Sequence, residues 1–181
     1  SPIAHVAAGY AVYRLFSGAP AIRKIRSPLI VFAACALCSL LPDLDSVVGV
    51  MAGDLGRFHN NLSHSFAAGA LAAIVCAAVM RALAGHGFWT WLLIALACCE
   101  LHVAMDYCTV GRGVMALWPF TDARFQAPWL PFRGVQWAMG LWTIEHGWTV
   151  LNELVFVGLL AVAMVLARRL RCGKPEDRQL P

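Results

Sequence analysis

Histidine and aspartate residues lie at the ends of the apolar segments of this 181-residue chain, where a hydrophobic sequence tolerates them least. The set comprises His5, the run Pro42-Asp43-Leu44-Asp45, the run His59-Asn60-Asn61-Leu62-Ser63-His64, and His102 with Asp106. Imidazole nitrogens and carboxylate oxygens are ligands of Zn²⁺ and other divalent metal ions. Because ionisable groups beside lipid are costly and seldom without function, the pattern predicts a metal site at a membrane surface.

The spacing of these residues indicates how they could meet. His102 and Asp106 are four apart, so on a helix their side chains share one face and can reach a single ion. His59 and His64 directly precede an apolar helix, for which Ser63 is the predicted N-cap. At least one of these two histidines is expected to point into the same pocket.

Asp43 and Asp45 follow Pro42, where a helix is expected to end. Their carboxylates could be a metal ligand and a general base, or a metal ligand and a hydrogen-bond partner for a metal-bound histidine. Each motif also has a structural interpretation: a hydrogen-bonded HxxxD pair, an ordinary helix stop, or a polar loop. The convergence of four separate segments on one end of the molecule favours metal binding.

The composition indicates that lipid surrounds much of this single domain, because 60% of the residues are hydrophobic and only 13% are charged. A spanning helix needs roughly 17–25 residues, which the apolar stretches 66–84, 88–105 and 150–167 provide and 28–42 provides only marginally. The seven cysteines lie mostly inside apolar stretches and indicate no disulfide framework. We therefore predict an all-α integral membrane bundle of about five helices, over 3–16, 28–42, 64–84, 88–106 and 148–170. A long interfacial segment precedes the last helix, and a polar tail over 171–181 follows the domain of residues 1–170.

Alternating helix directions separate the basic residues into two groups. Ten of the fourteen fall on the side of the 17–27 loop, the 81–87 turn and the C-terminus. Because Lys and Arg concentrate on the cytoplasmic side, the metal site is predicted to face the periplasm or exterior. Five of the seven tryptophans lie in or beside the long segment, as expected at a membrane interface: Trp118, Trp129, Trp137, Trp142 and Trp148. Trp89 and Trp91 are predicted to mark the inner boundary.

Further polar residues on the predicted outer side could assist the site. Arg112, Arg124 and Arg133 could bind a substrate phosphate, and contact with lipid headgroups is the alternative interpretation of each. Glu145, His146 and Glu153 begin the last helix and could support the metal ligands or pair with arginines.

The ordered motifs resemble the membrane-bound metal-dependent hydrolases of the LexA-regulated YdjM-like family. The resemblance runs from residue 4 to about 125 and rests on Ala4-His5, Leu40-Leu41-Pro42-Asp43-Leu44-Asp45, His59-Asn60-Asn61-Leu62-Ser63-His64-Ser65, Leu101-His102-Val103-Ala104-Met105-Asp106, Gly111 and Leu117-Trp118-Pro119-Phe120. That family is similar in turn to the zinc-dependent phospholipase C and single-strand nuclease superfamily. The resemblance implies one or two Zn²⁺ ions, or another divalent metal. The ligands that it implies are His5, Asp43 or Asp45, His64, His102 and Asp106, with Asp106 as a bridging ligand.

The expected activity is hydrolysis of a phosphoester of a phospholipid or lipid-linked substrate at the outer face of a bacterial inner membrane. A metal ion would lower the pKa of a bound water toward about 7, and Asp43, Asp45 or His59 would handle protons. The expected partners are the bilayer and a lipid substrate, with no nucleic acid, and the oligomeric state is left open. The alternatives are a metal transporter or metal sensor with the same ligands, or a bundle that a metal only stabilises.

Overall fold

A computed structural model describes residues 2–54, 57–135, 139 and 143–172. Within these residues the chain forms seven α-helices and no β-strand, so the prediction of an all-α bundle is confirmed. The helices are α1 (Pro2–Phe16), α2 (Pro20–Arg23), α3 (Pro28–Leu40), α4 (Leu44–Met51), α5 (Phe66–Ala84), α6 (Phe88–Tyr107) and α7 (Glu145–Cys172). Residues 173–181, most of the predicted polar tail, lie outside the described residues, as do Trp137 and Trp142.

Among the described helices, three are each long and apolar enough to cross a membrane: α5, α6 and α7. They correspond to the three stretches for which the sequence predicts spans. The marginal fourth stretch is different, because its helix ends at Leu40 and resumes as α4 after a bend of 58°. The prediction of one helix over 28–42 is therefore wrong at its end. Pro42 lacks a backbone N–H and disrupts the turn that would join the two helices.

Local sequence explains where several helices begin and end. Proline occupies the first turn of α2 and of α3, where its missing N–H costs nothing. Ser65, not the predicted Ser63, caps α5, because its Oγ accepts the N–H of Ala68 at 3.1 Å. Gly85 ends α5 in the left-handed conformation, with φ of 75°.

Helix α6 is the centre of the bundle and packs against α1, α3 and α5. Its buried side chains include Trp91, which is only 2% exposed and therefore belongs to the core, not to the predicted inner boundary. Trp89, by contrast, is 73% exposed. Helix α7 packs against α1, and only 6% of its most apolar window is buried.

The two ends of the bundle differ in chemistry. At one end the Gly85-His86-Gly87 turn meets α2, where His86 Nε2 lies 3.1 Å from the carbonyl oxygen of Ala21. This end carries the basic 17–27 loop. At the other end, the start of α1 and the ends of α3 and α6 meet the segment that precedes α5. The histidines and aspartates singled out in the sequence lie at this second end.

Candidate metal centre

Four side chains from separate parts of the chain converge at the second end of the bundle. Asp43 follows α3, His64 precedes α5, and His102 and Asp106 lie on the last two turns of α6. His64, His102 and Asp106 are at most 3% exposed, whereas Asp43 is 19% exposed. The centre is therefore closed on three sides and most accessible beside Asp43.

The spacing of the four ligand atoms fits a tetrahedral metal site. The six pairs formed by Asp43 Oδ1, His64 Nε2, His102 Nε2 and Asp106 Oδ2 include five with distances of 3.1–3.6 Å. Each of the four residues offers one ligand atom, and these atoms all lie within 4.8 Å of one another. Metal–ligand bonds of about 2.0–2.1 Å place tetrahedral ligands about 3.3–3.4 Å apart. A Zn²⁺-sized ion therefore fits among these atoms.

The backbone of α3 orients His102. Its Nδ1 lies 2.6 Å from the carbonyl oxygen of Ser39, and because a carbonyl only accepts, Nδ1 must carry the proton. In the neutral ring Nε2 then presents its lone pair toward the other ligand atoms. Metal-binding histidines are commonly fixed by such a contact on their second nitrogen.

Asp45 fixes His64 in the same way. His64 Nδ1 lies 3.1 Å from Asp45 Oδ2, and Ser63 donates its hydroxyl proton to the same oxygen at 2.5 Å. This contact leaves His64 Nε2 for an ion. In this arrangement Asp45 supports a metal-binding histidine, which is one of the two roles that the sequence allowed for it.

The two carboxylate ligand atoms, Asp43 Oδ1 and Asp106 Oδ2, are buried and make no well-directed hydrogen bond among the described residues. Histidine nitrogens lie near both of them, with His64 Nε2 3.1 Å from Asp106 Oδ2 and 3.6 Å from Asp43 Oδ1. A buried carboxylate oxygen without compensation is costly, and a cation would remove that cost. In the metal-free protein a proton serves instead. Burial opposes a charge on His64, but the carboxylates of Asp106, Asp43 and Asp45 outweigh it and raise the pKa of His64 well above its usual value.

A second group of ligand atoms adjoins the first and consists of Asp43, Asp45, His59 and His64. His59 Nδ1 lies 3.1 Å from Asp45 Oδ1 and 3.6 Å from Asp43 Oδ1. Asp43 and His64 belong to both groups, but a His64 that donates Nδ1–H to Asp45 has only Nε2 for an ion, so it would serve one group at a time. Asp106 belongs to the first group alone, and the bridging role that the family resemblance implies for it stays a prediction.

His5, on α1, contacts two residues of the centre, Asp106 and His102. It is 2% exposed, its Nε2 lies 3.2 Å from Asp106 Oδ1, and its ring stacks on that of His102 at 3.8 Å. Burial and the neighbouring His102 lower the pKa of His5 to about 4, so the ring is neutral and can donate to Asp106. His5 belongs to neither ligand group, and its contact with Asp106 would let it support that ligand, so the implied role of His5 as a ligand stays a prediction.

Glu153 supports His5 in turn. Its Oε2 accepts the backbone N–H of Ala4 at 3.1 Å, and the side chain is 2% exposed. This N–H is one of the first-turn donors of α1 that have no partner within the helix. Glu145 and His146, the other two residues proposed from the start of α7, belong to neither ligand group.

Two of the three arginines proposed for phosphate binding hold a loop in place. Arg112 donates to the carbonyl oxygens of Arg57, at 3.1 Å, and of His59. Arg124 donates to the carbonyl oxygen of Asn60 at 2.9 Å and to the side chain of Asn61. Both therefore fix the backbone that carries His59. The third, Arg133, lies elsewhere and pairs with the exposed Glu145 at 3.5 Å.

Several supporting residues were not predicted from the sequence. The carbonyl of Ser39 leaves no signal there, because any residue supplies one. Ser46 contacts His59 Nδ1 at 2.9 Å through its hydroxyl group, and its position next to Asp45 is the only signal that could have indicated it.

Apolar spanning helices around a buried histidine and aspartate cluster define an integral membrane protein with a candidate metal centre. Residues 1–171 match the family described as YdjM inner membrane protein, and the chain belongs to that family. It is similar to inner membrane protein YbcI of Escherichia coli (strain K12), with 31% identity over 157 residues that cover 81% of this chain and 88% of the relative. No solved structure matches the chain. The predicted family and a location in the bacterial inner membrane are thereby confirmed.

Proposed function

We propose that this protein is a metal-dependent hydrolase that cleaves a phosphoester of a phospholipid or lipid-linked molecule. The proposal includes Zn²⁺ as the metal and the periplasmic side as the position of the centre. The observation that carries it is the near-tetrahedral set of Asp43, His64, His102 and Asp106 atoms, two of which are buried carboxylate oxygens without a well-directed hydrogen bond.

The accessibility of Asp43 supports a catalytic centre over a purely structural one. Structural zinc sites have four protein ligands and are closed, whereas catalytic sites keep a position for water or substrate, which here would be a fifth position beside the partly exposed Asp43. Asp43 is 19% exposed while His64 and His102 have fully buried side chains. Water and substrate would therefore approach beside Asp43, and it is on this side that His59 lies, 3.6 Å from Asp43 Oδ1.

The residues around this opening can perform acid–base chemistry. A bound divalent ion supplies an activated water and a positive charge near the phosphoryl group. Asp45 and Ser46 hold His59 Nδ1 at 3.1 and 2.9 Å, which orients its ring. His59 is therefore our candidate for passing a proton to the leaving oxygen, and Asp45 for stabilising the charged ring.

The position of the centre supports a lipid substrate. It lies at one end of a bundle of spanning helices, so a headgroup could reach it while the acyl chains stay in the bilayer. Arg112 and Arg124 lie at this end and bond to neutral acceptors, so their positive charge could attract a phosphate. The excess of Lys and Arg at the other end supports the periplasmic orientation.

The proposal is tested with the purified protein in lipid nanodiscs. Metal content and lipid composition are measured by mass spectrometry before and after incubation, for the parent protein and for His102→Ala. His86→Ala, the same substitution at the opposite end of the bundle, is the control. We expect a water-soluble phosphorylated headgroup to be released by the parent and by His86→Ala, and lost with the metal in His102→Ala. Equal lipid profiles for all three would contradict hydrolysis, and metal uptake by vesicles without hydrolysis would favour a transporter.

A further inference from the structure

Helix α4 has two chemically different faces. Asp45, Ser46 and Gly49 form the inner one: the carboxylate and the hydroxyl contact the histidines of the centre, and Gly49 is buried. Leu44, Val47, Val48 and Met51 recur with the i, i+3, i+4, i+7 spacing of a second helical face. These four side chains are 50–84% exposed. Half of this helix therefore supports the metal centre, and half presents hydrocarbon outward.

The course of the chain indicates what covers the outward face. Helix α4 continues α3 after a bend of 58°, and the two pass together as one apolar segment that could span a membrane. Exposed apolar side chains occur on both sides of the bend, since Leu29, Ile30 and Leu37 of α3 are 56–70% exposed. A bend of this size turns α4 toward the plane of the bilayer, which is the orientation of amphipathic interfacial helices.

The size of the face argues against a second protein as its cover. Eight residues of helix are about 12 Å long, whereas a stable protein interface buries about 800 Å² on each partner. Aromatic residues at the same end of the bundle support a bilayer surface instead. Phe120, Trp129 and Trp148 are 55–89% exposed, and tryptophan in particular concentrates at membrane–water interfaces.

We propose that α4 is an in-plane membrane helix, and that its contact with the bilayer interface holds Asp45 and Ser46 against the histidines of the metal centre. The proposal rests on the metal-binding part of the proposed function and adds a dependence on the membrane. Lifting α4 out of the interface would withdraw the Asp45 carboxylate from His64 Nδ1, 3.1 Å away. Losing such a supporting contact typically weakens metal binding about 10–100-fold.

The position of α4 is tested by thiol labelling in nanodiscs, where both membrane faces are accessible. Val47→Cys and Met51→Cys are treated with a charged, membrane-impermeant maleimide, and labelling is measured as the gain over the parent protein. Asp54→Cys, three residues beyond the apolar face and exposed, is the control. We expect a rapid gain for Asp54→Cys and little or none for the other two. Equally rapid labelling of all three would overturn the proposal, as would protected thiols that cross-link two copies of the chain under mild oxidation.

The coupling to the centre is tested by metal affinity. Val47→Asp places a charge on the membrane face of α4, and we expect its zinc affinity to fall about tenfold or more. Val110→Asp makes the same change at an exposed position outside α4 and should keep the affinity of the parent. If Val47→Asp binds zinc with the affinity of the parent protein, the proposed coupling between α4 and the metal centre is wrong. Neither the labelling nor the zinc affinity depends on hydrolysis. If both give the expected results but the protein cleaves no lipid, the proposed hydrolase function is refuted and the proposal for α4 is retained.

Discussion

The carboxylate of Glu153 on α7 accepts the backbone N–H of Ala4 on α1 at 3.1 Å. This bond joins the last helix of the chain to the first, one residue before His5. It gives α1 a capping acceptor from another helix, since the first-turn N–H groups have no partner within α1 itself. The support of Asp106 by His5 thus depends on a residue that lies 149 positions after Ala4 along the chain.

Removal of that carboxylate should therefore destabilise the protein. We expect Glu153→Ala to lower the free energy of unfolding by about 1–3 kcal/mol, because the Ala4 N–H is left buried without an acceptor. Glu145→Ala on the same helix removes an exposed ion pair with Arg133 and should cost about 0–1 kcal/mol. Denaturant titration in nanodiscs measures both, and equal losses would show that the Ala4 contact has no special role.

Asp45 should tune metal affinity without being the principal ligand. In Asp45→Asn the contact with His64 Nδ1 loses its charge, and we expect zinc affinity to fall about 10–100-fold. Asp122→Asn, at an exposed position in the long loop, should leave the affinity unchanged. Competition titration against a chelating dye gives both values. Complete loss of binding in Asp45→Asn would instead place Asp45 among the ligands themselves.

Metal binding should release protons and weaken as the pH falls. The pKa of metal-free His64 is raised well above its usual value, so at neutral pH an incoming ion must displace a proton. The protonated ring stabilises the metal-free fold fully below the unfolded pKa of about 6.5, and this stability is lost as the pH rises through the raised folded pKa. Metal should therefore stabilise the protein most at alkaline pH.

Calorimetry in buffers of different ionisation enthalpy measures this linkage. We expect about one proton released per ion at pH 7. The Asp122→Asn protein is a suitable control and should release the same number. Binding without any proton release would contradict a raised pKa at His64.

Arg124 should order the loop that carries His59. We expect Arg124→Gln to speed hydrogen exchange of the backbone amides over residues 57–61 about tenfold or more, because the contacts of the guanidinium with the Asn60 carbonyl and the Asn61 side chain are lost. Arg133→Gln, which removes a cation outside this contact set, should leave exchange in the loop unchanged. If hydrogen exchange in the loop is unchanged in Arg124→Gln, Arg124 does not order the loop, and binding of a substrate phosphate is the other role proposed for it.

The sequence predicts the spanning helices well, because α5, α6 and α7 are long apolar runs whose solvent is lipid. It also predicts the ligand types of the centre, since buried His and Asp are rare enough to be informative. The i, i+4 spacing of His102 and Asp106 fixes their common face before any tertiary contact is known.

The other features of the fold and of the metal centre depend on tertiary contacts and could not be predicted from the sequence. A helix end near Pro42 was predicted, but α4 over Leu44–Met51 lies outside the predicted helices, and its orientation relative to α3 depends on tertiary contacts. The carbonyl of Ser39 is invisible in the sequence, yet it decides which nitrogen of His102 faces the ion. Arg112 and Arg124 have the chemistry of phosphate-binding residues, but their carbonyl contacts became evident only in three dimensions.

The packing of helix α7 differs between its first and second halves. The helix is tied to the bundle near its start, through Glu153 and through Phe156, whose ring meets that of Phe132 at 5.0 Å. Beyond that point almost nothing encloses it, since its most apolar window is 6% buried. Selection on the second half of this helix should thus act on its hydrophobicity and length, and hardly on the shapes of its side chains. Exchanges among Leu, Val and Ala there should be nearly neutral. Packing should therefore restrict the sequence of α1 to α6 far more than that of the second half of α7.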